Sequence, residues 1–140
     1  MKSCVLDASV AAAAFFREPY AAAARALLAS DREFHAPDLI YAEVASVFWK
    51  RQRRGEIDEA EATELLADFL SLPLCPTPSE EVLPAALQLA IKTGRTVYDC
   101  LYLALAVANK TVMVSADKRL VNALSRGPLR KHVAWIGDYH

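Results

Sequence analysis

Thr111-Val112-Met113-Val114-Ser115-Ala116-Asp117-Lys118-Arg119-Leu120 reads as a buried strand that runs through a short acidic turn into a helix. Its β-branched residues at 111, 112 and 114 favour extended backbone. Asp117 stands where a helix over 118–124 needs a cap. The N-terminus repeats this arrangement. Cys4-Val5-Leu6 is a short apolar run that stops at Asp7, with an alanine-rich helix predicted over 8–16.

Working outward, strands and helices alternate along the chain. Pro19 can open a helix reaching about Ala29, and Phe34-His35-Ala36 is a short strand closed by Pro37. From Asp38 to Arg54 the stripe Ile40, Val44, Val47 and Phe48 is helical, with Gly55 as its stop. Asp58 caps the next helix, which buries Leu65, Leu66, Phe69 and Leu70. Leu74-Cys75, between Pro73 and Pro76, reads as an edge strand. Helices over 80–93 and 97–108 follow, and His132 to Ile136 is the last strand. Short strands separated by helices imply βαβ crossovers, hence an α/β domain of three layers around a central parallel sheet. Ligands of such sheets bind beyond the carboxyl ends of the strands, where strand order reverses.

The length of 140 residues leads us to expect a single domain spanning 1–140. Apolar residues make up 54% and charged residues 24%, which excludes a disordered or low-complexity chain. Sixteen basic against seventeen acidic side chains give a net charge of −1, so nucleic-acid contact must come from local basic patches. No apolar run is long enough for a membrane span, and the first one stops too early for a signal peptide. Cys4, Cys75 and Cys100 form no CxxC pair and all lie in apolar surroundings, as buried free thiols do. A cytoplasmic, reducing location is the expectation.

Four carboxylates attract notice. Asp7 and Asp117 follow strands, where a parallel sheet presents its site. Asp99 is the only charge in the apolar stretch from Val97 to Ala108, a costly place unless something compensates it. Glu43 borders the apolar stripe of its helix. Each has an ordinary explanation: Asp7 and Asp117 as caps, Thr96 to Asp99 as a capping box, and Glu43 as a first-turn acid. Jointly they can converge on one cleft, and ionised carboxylates crowd together only around a cation. Oxygen ligands favour Mg²⁺ or Mn²⁺ over zinc, and the sequence shows no competing His or Cys cluster. Metal-assisted attack of water on a phosphodiester suits such a site.

Val5-Leu6-Asp7-Ala8-Ser9, Tyr41-Ala42-Glu43-Val44, Thr96 to Ala104 and Val114 to Leu120, in this order, resemble the motifs of the PIN-domain family. Within it, the chain is most similar to the small prokaryotic VapC-type toxins, from Met1 to about Trp135. The resemblance implies a compact α/β/α sandwich and a Mg²⁺- or Mn²⁺-dependent endoribonuclease. It implies a homodimer held inactive by a cognate antitoxin. It maps the four family acids onto Asp7, Glu43, Asp99 and Asp117, with Asp7, Asp99 and Asp117 on the metal, directly or through water. Glu43 completes the site or orients the attacking water. The hydroxyl residue before the last acid maps onto Ser115, which bonds a metal ligand or a carboxylate. Cleavage in the family's manner leaves a 5′-phosphate and a 3′-hydroxyl.

RNA has to approach an acidic site. Lys118 and Arg119, beside Asp117, are the first candidates for phosphate contacts. Lys50, Arg51, Arg53 and Arg54 equally read as a solvated helix end. Tyr98 and Tyr102 can stack on bases or pack within their helix. Phe15, Phe16 and Tyr20 can form a groove for an antitoxin helix or join the core. Trp49 and Trp135 read as packing or interface residues, and His35, His132 and His140 carry no catalytic expectation. Three other readings remain: a nuclease of RNA processing or decay, a non-catalytic nucleic-acid-binding or interaction module with the same fold, and an aspartyl-phosphate phosphotransferase using Asp7. The last is disfavoured by Ser9, which stands where haloacid-dehalogenase-like enzymes carry a second Asp.

Overall fold

The structure is a computed structural model and describes Lys2 to His140. Five parallel strands form its sheet: β1 (Ser3–Leu6), β2 (Glu33–Pro37), β3 (Leu74–Thr77), β4 (Met113–Ser115) and β5 (Val133–Trp135). Their order is β3-β2-β1-β4-β5, with β1 at the centre. Leu6 pairs with Val114, so the carboxyl ends of β1 and β4 lie at one level. Between those two strands the direction of winding reverses, which opens the crevice expected of such a sheet.

Seven helices connect and cover the described strands. α1 (Ala8–Ala13) and α2 (Ala21–Leu28) join β1 to β2; α3 (Leu39–Arg53) and α4 (Glu59–Leu70) join β2 to β3. α5 (Ser79–Thr93) and α6 (Val97–Ala108) carry the chain back across the sheet to β4, and α7 (Lys118–Leu124) leads to β5. α1 packs on α2 and α3, and α3 on α4. α6 packs on α5 and against β1, β2 and β4, while α7 lies on β4 and β5. Right-handed crossovers in opposite directions from β1 put these two groups on opposite faces of the sheet. The expected three layers result.

Apolar pattern and turn chemistry account for most element limits. α6 buries Cys100 through Ala106 without a break, so Leu101, Tyr102, Leu103 and Leu105 all lie in the core. α5 stops at Gly94, whose φ of +73° is the left-handed geometry that glycine adopts without strain. Asp58 and Glu61 form a reciprocal capping box that starts α4. Pro76 sits in β3, an edge strand, where a missing N–H is tolerated.

Three limits differ from the sequence expectations. α1 ends at Ala13 because Phe15 and Phe16 turn back onto the core: Phe15 lies edge-on to Phe48 and Phe69, and Phe16 edge-on to Phe48. Such edge contacts contribute about 0.5–1.5 kcal/mol each beyond burial. α2 begins at Ala21, since the Ala21 N–H closes a turn on the Glu18 carbonyl around Pro19. β4 begins at Met113, since Lys110 takes a positive φ and the Thr111 N–H bonds to Ala106 O at the end of α6.

Candidate active site

The cleft lies at the carboxyl ends of β1 and β4 and begins with Asp7. It holds the residue position before α1, but its side chain makes no capping bond. Instead Asp7 Oδ2 accepts hydrogen bonds from Ser9 Oγ at 2.6 Å and Ser115 Oγ at 2.8 Å. Asp7 Oδ1 accepts none from the described residues. Ser115 is fully buried, and its Oγ also accepts from the Asp117 N–H at 3.0 Å. Ser9 Oγ accepts from the Ala116 N–H at 2.9 Å. Two hydroxyls and the β4–α7 turn thus fix one oxygen of Asp7 and leave the other available. Burial pushes the Asp7 carboxyl up to about 6; the two hydroxyls oppose this, and the charges of Glu43 and Asp99 add to it.

Glu43 enters from α3, in its second turn, so the first-turn explanation does not apply. Tyr102, on α6, donates its hydroxyl to Glu43 Oε1 at 2.7 Å. Burial raises the Glu43 carboxyl, the Tyr102 bond lowers it, and Asp99 raises it. Burial and the facing carboxylates raise the Tyr102 phenol, which stays protonated and able to donate. With a relative exposure of 1%, Tyr102 is a packed residue and presents no face to a base. Tyr98, exposed on the first turn of α6, keeps that capacity.

Asp99 sits in the first turn of α6, where its N–H bonds to Thr96 Oγ1 at 3.1 Å. The reciprocal carboxylate bond of a capping box is not made. Burial raises the Asp99 carboxyl, the Thr96 hydroxyl and the Arg95 guanidinium lower it, and the charge of Asp117 raises it. Asp117 is exposed and does cap α7, accepting from the Leu120 N–H at Oδ1. Its capping explanation therefore holds, with Oδ2 left over.

Asp7, Glu43, Asp99 and Asp117 thus come from four different elements and act on one another through the field. Among the described residues, no three of them bring an oxygen each within 4.8 Å of one another. Ser9 and Tyr102 are the polar partners that sequence reasoning misses as members of the cleft. The signal for Ser9 is its place two residues after a strand-ending Asp. Tyr102 shows only as a hydroxyl within an otherwise apolar helix.

The other candidates disperse. Arg51 pairs with Glu18 and Glu56 and lies over Phe16, and Arg53 lies over Trp49, so neither is a free phosphate ligand. Lys118 Nζ stands 4.1 Å from the Trp135 ring centroid, while Arg119 is exposed and unpaired among the described residues. Phe15, Phe16 and Tyr20 pack, Tyr20 against Trp135. His132 Nδ1 bonds to Thr111 O. Two expectations fail. Cys75 is half-buried rather than buried, because β3 is an edge strand. And a His and Cys cluster does exist: Glu33, His35 and Cys75 meet across β2 and β3, since strand register joins residues that sequence spacing keeps apart.

A family model for the PIN domain matches residues 4–124. The chain is 36% identical to Ribonuclease VapC3 of Pyrobaculum aerophilum over 118 residues, which are 83% of this chain and 90% of that one. It is 31% identical to VapC ribonuclease Mb0985 of Mycobacterium bovis over 116 residues, 83% of this chain and 87% of the relative. The crystal structure of PAE2754 from Pyrobaculum aerophilum superposes with a TM-score of 0.68, at 24% identity, over 98% of this chain and 85% of that one, and shares the fold. On the family match and these identities, the chain belongs to the PIN-domain family.

Proposed function

We propose that this protein is a metal-dependent endoribonuclease, the toxin of a toxin–antitoxin pair whose cognate antitoxin holds it inactive. One observation carries the reading. Four carboxylates, one following β1, one on α3, one on α6 and one in the β4–α7 turn, feel one another's charge beside the crevice where the sheet reverses. Burial and mutual repulsion raise the pKa of three of them, and among the described residues Arg95 offsets this at Asp99. The curated relatives described as VapC ribonucleases support the same activity.

The donor set fits a hard divalent cation. It is all oxygen, its charges repel, and Asp7 keeps one oxygen unengaged. Asp7, Asp99 and Asp117 would hold Mg²⁺ or Mn²⁺, with Glu43 completing the site directly or through water. Such an ion, when bound, supplies Lewis-acid stabilisation of the charge developing on the phosphate and eases the ionisation of water. Ser9 and Ser115 hold Asp7 at a fixed orientation, a role that ligand-supporting groups play generally. Glu43, braced by Tyr102 and with its carboxyl raised by burial, accepts the proton of the attacking water. Lys118 and Arg119, at the start of α7, are the cationic contacts for RNA phosphates. The products carry a 5′-phosphate and a 3′-hydroxyl. Two copies of the chain form the working unit.

The test is cleavage of a mixed cellular RNA pool by antitoxin-free protein with Mg²⁺, with Mn²⁺ and with chelator. A folded Asp99→Asn variant runs beside it. Metal-dependent cutting that disappears in the variant is the expected result. Equal cutting by the variant overturns the site assignment, and equal cutting in chelator overturns the metal.

A further inference from the structure

The β2–β3 edge of the sheet carries a second group of metal-competent side chains, remote from the acids in chemistry. His35, in mid-β2, is the register partner of Cys75 on β3, and Glu33 lies two residues before His35 on the same face of β2. One ligand atom each from Glu33, His35 and Cys75 lies within 4.8 Å of the other two. His35 Nε2 and Glu33 Oε1 are 2.5 Å apart, joined by a proton. The three residues range from half-buried to exposed, so an ion has access. β3 has no neighbour on its outer side, and this group ties it to the next strand inward.

We propose that Glu33, His35 and Cys75 form a binding site for Zn²⁺ at the β2–β3 edge. Zinc takes imidazole nitrogen, thiolate sulfur and carboxylate oxygen at about 2.0–2.3 Å in a tetrahedron, so its ligand atoms stand roughly 3.3–3.7 Å apart. The three ligand atoms lie within 4.8 Å of one another, so reaching those separations falls to side-chain rotation. Three protein ligands leave the fourth position to water. A sulfur and nitrogen set selects Zn²⁺ over Mg²⁺, opposite to the all-oxygen cleft. Binding releases the thiol proton of Cys75 to solvent, and His35 ligates as a neutral imidazole with its proton on the other ring nitrogen. Burial and the Glu33 charge raise the unliganded Cys75 thiol, and the bound ion holds it as a thiolate.

Two measurements test this on the full chain. Co²⁺, added as a spectroscopic stand-in for Zn²⁺, is expected to give a near-ultraviolet thiolate-to-cobalt charge-transfer band that saturates at one equivalent. The acid cleft contains no sulfur ligand, and Cys4 and Cys100 are buried, so the band reports Cys75. His35→Ala and Cys75→Ser should each abolish it, with folding checked by circular dichroism in chelator. A band that survives either substitution overturns the site. The second measurement needs no variant. Zn²⁺, but not Mg²⁺, should slow iodoacetamide alkylation of Cys75 in the wild-type chain about tenfold, because the bound thiolate is no longer free to attack. Unchanged alkylation with Zn²⁺ overturns the proposal.

Discussion

The cleft at the carboxyl ends of β1 and β4 and the cluster at the β2–β3 edge both use a parallel sheet to align side chains, but in opposite ways. The cleft draws oxygen donors from positions 7, 43, 99 and 117, far apart in sequence, with Ser9 and Ser115 holding Asp7 and Tyr102 holding Glu43. The edge cluster takes three different donor types from two neighbouring strands in direct register. One is a set of like charges kept close at an energetic cost; the other is a histidine and a carboxylate that already satisfy each other beside a neutral thiol. Charge concentration of the first kind marks a candidate functional site, since stability alone would select against it.

The largest expected effect sharpens that contrast. Asp7→Asn should lower the rate of RNA cleavage by a factor on the order of 1,000, as loss of a principal charge-stabilising contact does. The same variant should keep the Co²⁺–thiolate band of the edge cluster unchanged. Initial rates on a defined RNA, with cobalt absorption in parallel, check both. Loss of the band together with activity would mean that the two regions are one cooperative unit.

Stability should move the other way. The folded Asp7 carboxyl is raised to about 6 from an ordinary value of 3.8. Between those values the folded state binds more protons than the unfolded one, so stability falls as pH rises through the window. In chelator, the wild-type chain should therefore be more stable near pH 4–5 than near pH 7 as far as Asp7 is concerned. The loss should be on the order of 1–2 kcal/mol over that interval, since each tenfold change in proton affinity corresponds to roughly 1.4 kcal/mol. Asp7→Asn should remove that slope and be the more stable protein at pH 7. Denaturant unfolding at several pH values checks it. A flat wild-type profile would mean that burial does not raise the Asp7 carboxyl.

Tyr102→Phe comes next. It removes the 2.7 Å bond to Glu43 and leaves the ring in the core, costing about 1 kcal/mol of stability. The lost bond was lowering the Glu43 carboxyl, so that group should titrate still higher. The acidic limb of the pH–rate profile should move to higher pH, with about a tenfold rate loss below neutrality and recovery above it. A uniform loss at every pH would mark Tyr102 as structural support only.

How much of this is legible in the sequence follows from what each level encodes. The strand–acid–helix junctions at Asp7 and Asp117 are readable because apolar runs and caps are local. The lone Asp99 in an apolar helix is readable because its cost is local too. The crevice beyond the strand ends is expected from the crossover rules, although the strand order that places it between β1 and β4 is not. The contacts of Ser9 and Tyr102 are not readable, since a hydroxyl looks the same whether it meets water or a carboxylate. The Glu33–His35–Cys75 group is hidden for a related reason: no spacing rule links residue 75 to residues 33 and 35 until β3 is placed beside β2 in register. The early end of α1 likewise depends on Phe48 and Phe69, which only tertiary packing brings near Phe15.

The smallest effects concern the two cations beside Asp117, and they separate because one is already engaged. Lys118 lies over the Trp135 ring, which in turn meets Tyr20 edge-on. An exposed cation–π contact of this kind contributes about 0.5–1 kcal/mol. Arg119 is free among the described residues and one position further along the first turn of α7. If RNA phosphates lie along that turn, Arg119→Ala should weaken binding to a catalytically dead variant severalfold. It should also reduce the slope of log affinity against log salt by about 0.7, the share of one phosphate on a single strand. Lys118→Ala should chiefly lower thermal stability and change the slope less, since its ammonium must leave the indole before it can reach a phosphate. Equal slopes for both variants would show that the Trp135 contact does not hold Lys118 back, and an unchanged slope for Arg119→Ala would move the RNA path away from α7.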